Sequence, residues 1–281
     1  MGQGETATME RINIWDKVKS KQATGGIISA SLHPTREELE AAWSILWAPF
    51  AEFPYVSVTD RSVVVAAMLT AVIRRKLAKA PAFCFIAPPA CGKTLLANCI
   101  AEMAGQEIAV TSSKTISEKW LISASKCGQT SILFDDIQGK FQSDTLRAWL
   151  SNSYYSYYEP HNSEVSRVHT QTLVLIAGIN IIPCKELGVL TAHLNPGVEH
   201  AERRKFSLDA RQYCRDHHHR LVSAVLTLIT GYIAAGSRRF SENRLEAYEA
   251  WDDVVRQCVL WLNAEGIAEL GDPIKENSLG R

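Results

Sequence analysis

The sequence predicts an α/β fold, a parallel sheet core with a helical lead-in before it and a helical segment after it, and three stretches carry that expectation. The apolar run Ala82–Ile86 enters a tight loop and then an amphipathic run that stops at Gly105. A second apolar run, residues 131–134, ends in Asp135 and Asp136, and a third, residues 172–177, leads to Asn180. Short continuous apolar runs separated by helix-period segments read as buried parallel strands joined by crossover helices.

The loop after the first strand is the most informative stretch. Residues 87–94 are Ala87, Pro88, Pro89, Ala90, Cys91, Gly92, Lys93 and Thr94, which follow the pattern G-x-x-x-x-G-K-[ST] with alanine in place of the first glycine. Strand, loop and helix in that order form a phosphate-binding loop: backbone N–H groups and a helix N-terminus face the phosphates, the lysine reaches the outer ones, and the threonine hydroxyl serves Mg²⁺. Proline has no N–H to give, so the cradle depends on the amides of Cys91 to Thr94. Nucleotide binding is therefore expected at Ala90, Cys91, Gly92, Lys93, Thr94 and Leu95, with ATP and Mg²⁺ as the bound species.

The acid pair belongs at the C-terminal end of its strand, where ligands of parallel sheets gather. There Asp135 is expected to hold Mg²⁺ together with Thr94, and Asp136 to polarise the attacking water. Asn180, at the tip of the neighbouring strand, is the candidate γ-phosphate sensor.

Composition narrows the rest. The 281 residues are 46% hydrophobic and 21% charged, enough for one large domain or a core with helical additions. Thirty basic and thirty acidic residues cancel, so any nucleic-acid surface must be local or assembled between subunits. Seven scattered cysteines without a C-x-x-C pair suit reduced thiols rather than a disulfide or zinc framework. A polar N-terminus and apolar runs too short to span a bilayer give cytoplasmic localisation and no membrane partner as the expectation.

Along the chain, residues 1–34 read as a flexible N-terminal segment, 35–80 as the helical lead-in, 81–200 as the ATPase core and 201–281 as a C-terminal helical subdomain. Thr35 and Glu38 form a capping box ahead of Leu39, Trp43, Leu46 and Trp47. Asp60 reads as the cap of a second helix, which ends in a basic group, Arg74 to Lys76, read as a solvated helix end with a DNA contact as the alternative. Residues 107–111 read as a strand and 114–126 as a helix, with Ser143 capping another. Tyr154–Tyr158 and Val165–His169 read as a hairpin whose side chains either touch nucleic acid or only pack. Residues 221–232 and the run from Trp251 to Leu262 read as buried helices. His217, His218 and His219 lie near Cys214, but consecutive histidines point in different directions on a helix, which argues against a metal site.

The loop, the acid pair and the asparagine in this order resemble AAA+ ATPases, and more narrowly the superfamily III replicative helicases of small viruses and mobile elements. In that family the acid strand runs on into a Gly-Lys-like segment, matched by Gly139 and Lys140, and the final strand reaches an asparagine, matched by Asn180. A closer likeness is to the ATPase module of phage and integrative-element primase-helicases, covering most of the chain after about residue 38. The resemblance implies a P-loop NTPase of AAA+-like fold that forms a ring, with six subunits expected, and moves on DNA, single-stranded by expectation, in replication. DNA contacts would come from a hairpin around Lys140, Arg167 and His169, and a separate primase or initiator protein would be the partner.

Two departures stand out. Such relatives carry an Asp-Leu-x-Arg segment after the sensor asparagine, and here residues 186–189 (Glu186, Leu187, Gly188, Val189) lack the arginine. They also tend to have an arginine where this chain has Tyr155, Ser156 and Tyr157. Arg203 or Arg204 would then supply the charge across the subunit boundary. The rival expectations are an ATP-binding switch or adaptor with weak hydrolysis, and a P-loop small-molecule kinase.

Overall fold

The computed structural model describes residues 31–105, 108–112, 116–159, 164–184, 188–197 and 206–274. Helix α1 (Arg36–Trp47) begins with the expected capping box: the Thr35 hydroxyl accepts the Glu38 N–H at 3.3 Å, and the Glu38 carboxylate accepts the Thr35 N–H at 2.8 Å. Helix α2 (Val58–Ile73) is capped by Ser57 and not by Asp60. Val58 and Thr59 are already helical, which puts Asp60 in the first turn, nearly fully buried, where its carboxylate accepts the His193 N–H at 2.9 Å.

Strand β1 (Ala82–Ile86) feeds the phosphate loop and helix α3 (Lys93–Met103). Strand β2 (Ala109–Thr111) and helix α4 (Glu118–Lys126) follow, then β3 (Ser131–Phe141), α5 (Asp144–Ser151), the hairpin β4 (Tyr154–Tyr158) and β5 (Val165–His169), β6 (Leu173–Pro183) and β7 (Val189–His193). The chain continues with α6 (Ala210–Asp216), α7 (His218–Ala234) and α8 over residues 249–264, whose middle turn, Asp252–Arg256, is π-wound. Five strands form one parallel sheet in the order β2-β3-β6-β1-β7, and the hairpin stands apart as an antiparallel pair. Because β6 sits between β1 and β3, it can bring a third side chain to the loop and the acids together.

The structure corrects several expectations. β3 does not end at its two carboxylates, and Asn180 is not a strand tip. Both strands run on past the ends of their outer neighbours as a two-stranded ribbon, because Ile137, Phe141 and Ile181 stay buried beyond the charged positions. Asp135 and Asp136 sit where the register shifts between Phe134 and Ile137, and Asn180 is skipped between the pairs Gln138–Ile179 and Gly139–Ile181. Helix α4 starts at Glu118, later than expected. Strand β7 was not anticipated: only Leu190 and Ala192 face the core, too short a pattern to stand out.

The basic group after α2 is not simply solvated. Arg74 is buried, and its guanidinium donates to the carbonyls of Leu77 (2.7 Å), Thr170 (2.8 Å) and Thr172 (3.2 Å). Helices α1, α2, α7 and α8 pack as a layer continuous with the sheet core. The Trp251 ring lies 6.4 Å from that of Phe83 on β1, and its Nε1 donates to Thr70 at 2.8 Å. Among the described residues no helix is long and apolar enough to cross a membrane.

Candidate active site

Burial of β1 and β6 fixes the start of the phosphate loop, where the Ala87 N–H donates to the Gly178 carbonyl at 3.2 Å. The loop then turns through two left-handed residues, Ala90 (φ 60°) and Gly92 (φ 85°), and α3 begins at Lys93. Alternation of left-handed with ordinary backbone turns successive N–H groups inward and makes an anion-binding nest. Phe53 from the lead-in lies against the loop: a Cβ on Gly92 would stand 3.3 Å from its ring. Lys93 makes no ion pair among the described residues, which leaves its ammonium free for an anion.

The Thr94 hydroxyl donates to Asp135 Oδ1 at 3.0 Å, across 41 positions of sequence. The same carboxylate oxygen accepts the Asp136 N–H at 2.9 Å. Asp136 (φ 57°) and Asn180 (φ 50°) both adopt left-handed backbone, so three of the four described non-glycine residues with positive φ are Ala90, Asp136 and Asn180. Such conformations cost about 1–3 kcal/mol each and collect where function over-determines the backbone. Asn180 is exposed and lies two residues beyond Gly178, the residue that anchors the loop. Gly178 is required there: a Cβ would fall 1.8 Å from the Ile137 carbonyl oxygen.

Beside Leu95 and Phe53 opens a cleft of about 470 Å³, walled also by Phe206 and Leu208, with the carboxylates of Glu52 and Asp209 at its rim. Glu52 accepts the Ser207 N–H at 3.0 Å, and Asp209 caps α6. This cleft and Phe53 had no place in the sequence reading beyond a generic lead-in. The one available signal was an aromatic cluster of Phe50, Phe53 and Tyr55 just before a capped helix.

Arg203 and Arg204 lie outside the described residues, as do Glu186 and Leu187. Of the nearby arginines, Arg211 and Arg215 on α6 both grip Glu102, at 3.1 and 2.9 Å. Glu102 is eight residues past Thr94, about 12 Å along the helix, so these two side chains dock α6 on α3 away from the loop.

On the hairpin, Tyr154, Ser156 and Tyr158 pair across the strands with His169, Arg167 and Val165 and form its outer face. Tyr158 is 75% exposed and Tyr154 is 52% exposed, with the Tyr154 ring 4.5 Å from that of His169. Tyr157 and Val168 face inward, and Tyr155 packs on Trp149 at 5.6 Å. Packing and exposure thus divide between the two faces. Lys140 is not on this hairpin but on β3, opposite Ile182. The three histidines do not converge on one point: His217 stacks on Tyr213 at 4.2 Å, and His218 Nδ1 pairs with the Glu102 carbonyl at 2.9 Å while its ring meets that of His219 edge-on at 5.3 Å. No cluster able to hold a metal through three His, Cys, Asp or Glu side chains occurs among the described residues.

A parallel sheet with helices around it, a strand-loop-helix nest and an acid hydrogen-bonded to the loop's threonine define a P-loop type of α/β fold. No family model and no curated protein matches the chain. Among solved structures it is similar to the apo C-terminal region of NrS-1, at 12% identity and a TM-score of 0.46, over 89% of this chain and 61% of that one. It is also similar to the JCV helicase crystallised with a thiazolopyridine-containing acetamide, at 14% identity and a TM-score of 0.37, over 94% and 69% of the two chains. The chain thus spans about three fifths of the length of the NrS-1 region.

Proposed function

We propose that the chain is the ATPase module of an AAA+-like DNA translocase or helicase that works as a ring, in replication of a phage or mobile element. One observation carries this reading: Thr94 of the loop and Asp135 of a separate strand share a hydrogen bond at the head of α3. Two hard oxygen donors 3.0 Å apart suit Mg²⁺, which takes one or two protein oxygens and completes its octahedron with water and phosphate. When bound, the ion neutralises charge on the β- and γ-phosphates.

The chain's own groups divide the remaining work. The amides of Cys91 to Thr94 cradle phosphate, and Lys93 reaches the outer oxygens. Asp136, beside the metal-binding acid, orients and polarises water, while Asn180 holds the same water from the neighbouring strand. The cleft against Phe53, Leu95 and Phe206 takes the base. Arg167 and His169 meet the strand of DNA, with Tyr154 and Tyr158 stacking on bases, and Lys140 contributes from β3. Repetition around a ring of six subunits would give a neutral chain a basic channel.

A second reading is favoured by the cations: the described arginines near α3 are engaged by Glu102, and Pro88 and Pro89 withhold amides from the loop. A trans-acting arginine is worth several powers of ten in nucleotide hydrolases. Without one from Arg203 or Arg204, the subunit would be an ATP-binding switch that recruits a replication partner. ATP turnover measured with and without single-stranded DNA separates the two. DNA stimulation that Lys93→Ala abolishes supports the motor, Mg²⁺-dependent binding without turnover supports the switch, and no nucleotide binding at all would overturn both.

A further inference from the structure

We propose that a groove at the root of the β4–β5 hairpin binds one phosphate of a single-stranded nucleic acid. This rests on the reading above that the chain acts on such a strand, and it adds a contact site at Arg75, off the hairpin and adjoining the base of its outer face. The groove holds about 250 Å³ and is lined by Arg75, Ser125, Gln129, His169, Gln171 and Thr172. It lies where β3 and β6 begin, at the opposite end of the parallel sheet from the phosphate loop.

The chemistry of its walls selects an anion. Among the described residues no carboxylate lines it, although acids and bases are equal in number over the chain. Arg75 is exposed and spends one N–H on the Gly128 carbonyl at 3.2 Å, with no ion pair among the described residues. Its planar fork carries further N–H donors, the kind of group that grips phosphate oxygens. His169 lines the groove, and its ring lies 4.5 Å from that of Tyr154 in a tilted contact, so a phosphate at Arg75 is next to a base on the tyrosine.

A second feature suits a nucleic acid. The Gln129 Oε1 atom is buried with no partner, and a buried acceptor without a donor is costly. A base edge supplies N–H donors of the kind this acceptor lacks. The walls are held before any ligand arrives: buried Arg74 fastens the carbonyls of Thr170 and Thr172, and the Ser125 hydroxyl donates to the His169 carbonyl at 2.7 Å. Preorganised groups of this kind bind without a further ordering cost.

The test is fluorescence anisotropy of a labelled oligothymidylate with the full chain at several salt concentrations. Arg75→Ala is expected to weaken binding roughly fivefold to tenfold and to lower the slope of log Kd against log salt by about 0.7, the value for one single-strand phosphate contact. Arg75→Lys should restore the slope but only part of the affinity, and its retained charge separates loss of contact from loss of fold. Wild-type affinity and slope in Arg75→Ala, alongside weakened binding in Tyr154→Ala, would overturn the groove while leaving the hairpin reading intact. Absence of binding by the wild-type chain would overturn the nucleic-acid reading and the groove with it. A polyglutamate peptide competing as well as unlabelled oligothymidylate would also overturn it, since the groove would then be a general anion site.

Discussion

Ala90 holds a left-handed backbone that glycine would adopt without penalty. For an L-residue that conformation costs about 1–2 kcal/mol, so Ala90→Gly should raise stability by about 1 kcal/mol and the melting temperature by about 2 °C. A lower melting temperature in a thermal scan would show that the loop does not make this turn. The two aspartates should separate by readout: Asp135→Asn is expected to weaken Mg²⁺-dependent nucleotide binding about tenfold or more. Asp136→Asn should leave binding within about twofold while turnover falls at least a hundredfold. Titration calorimetry and phosphate release check the pair, and equal binding losses would contradict the division of labour. The meeting of Thr94 with Asp135 was legible because spacing and residue type alone carry it. The positive φ at Asp136 and Asn180 was not, because it follows from register shifts between β3 and β6 that only their pairing decides.

At the level of elements, the site depends on how closely β6 approaches β3. Gly178→Ala would force a methyl into the Ile137 carbonyl, and the backbone, which has no flexible end to swing away, must separate. The expected cost is about 2–3 kcal/mol, with turnover lost beyond what the drop in stability explains; a urea midpoint unchanged from wild type would contradict the packing described. Arg74 ties α2 to the root of the hairpin through three carbonyls, and burial pulls its pKa down to about 10. Arg74→Met keeps the apolar stem but leaves carbonyl oxygens without donors, so it should destabilise by about 3 kcal/mol, read by chemical denaturation. Neither role was readable in the sequence. A run of three basic residues at a helix end looks solvated until a distant loop, Thr170 to Thr172, supplies acceptors 96 to 98 positions away.

Over the whole molecule, the helices that follow the sheet are docked on α3 through Glu102, which joins Arg211, Arg215 and, by its carbonyl, His218. Burial is the largest influence on His218 and lowers its pKa; the hydrogen bond to the Glu102 carbonyl works the other way, and His219 adds to the lowering. Its position at the start of α7 also disfavours a cation, since that end of the helix dipole is positive. The folded protein therefore binds the His218 proton less readily than the unfolded chain, whose imidazole titrates near about 6.5. As pH falls through that value the unfolded state takes up protons first, so stability declines until the lower folded pKa is passed. Melting temperatures at pH 7.5 and 5.5 should show this decline, and His218→Gln should make it shallower without abolishing the fold. The coupling to the site follows from the same contact: α3 carries Thr94 at one end and the Glu102 carbonyl at the other, so acidification that loosens α7 from α3 should weaken nucleotide binding in parallel. An unaltered pH slope in His218→Gln would assign the acid sensitivity to other groups and remove His218 from the link between the two layers.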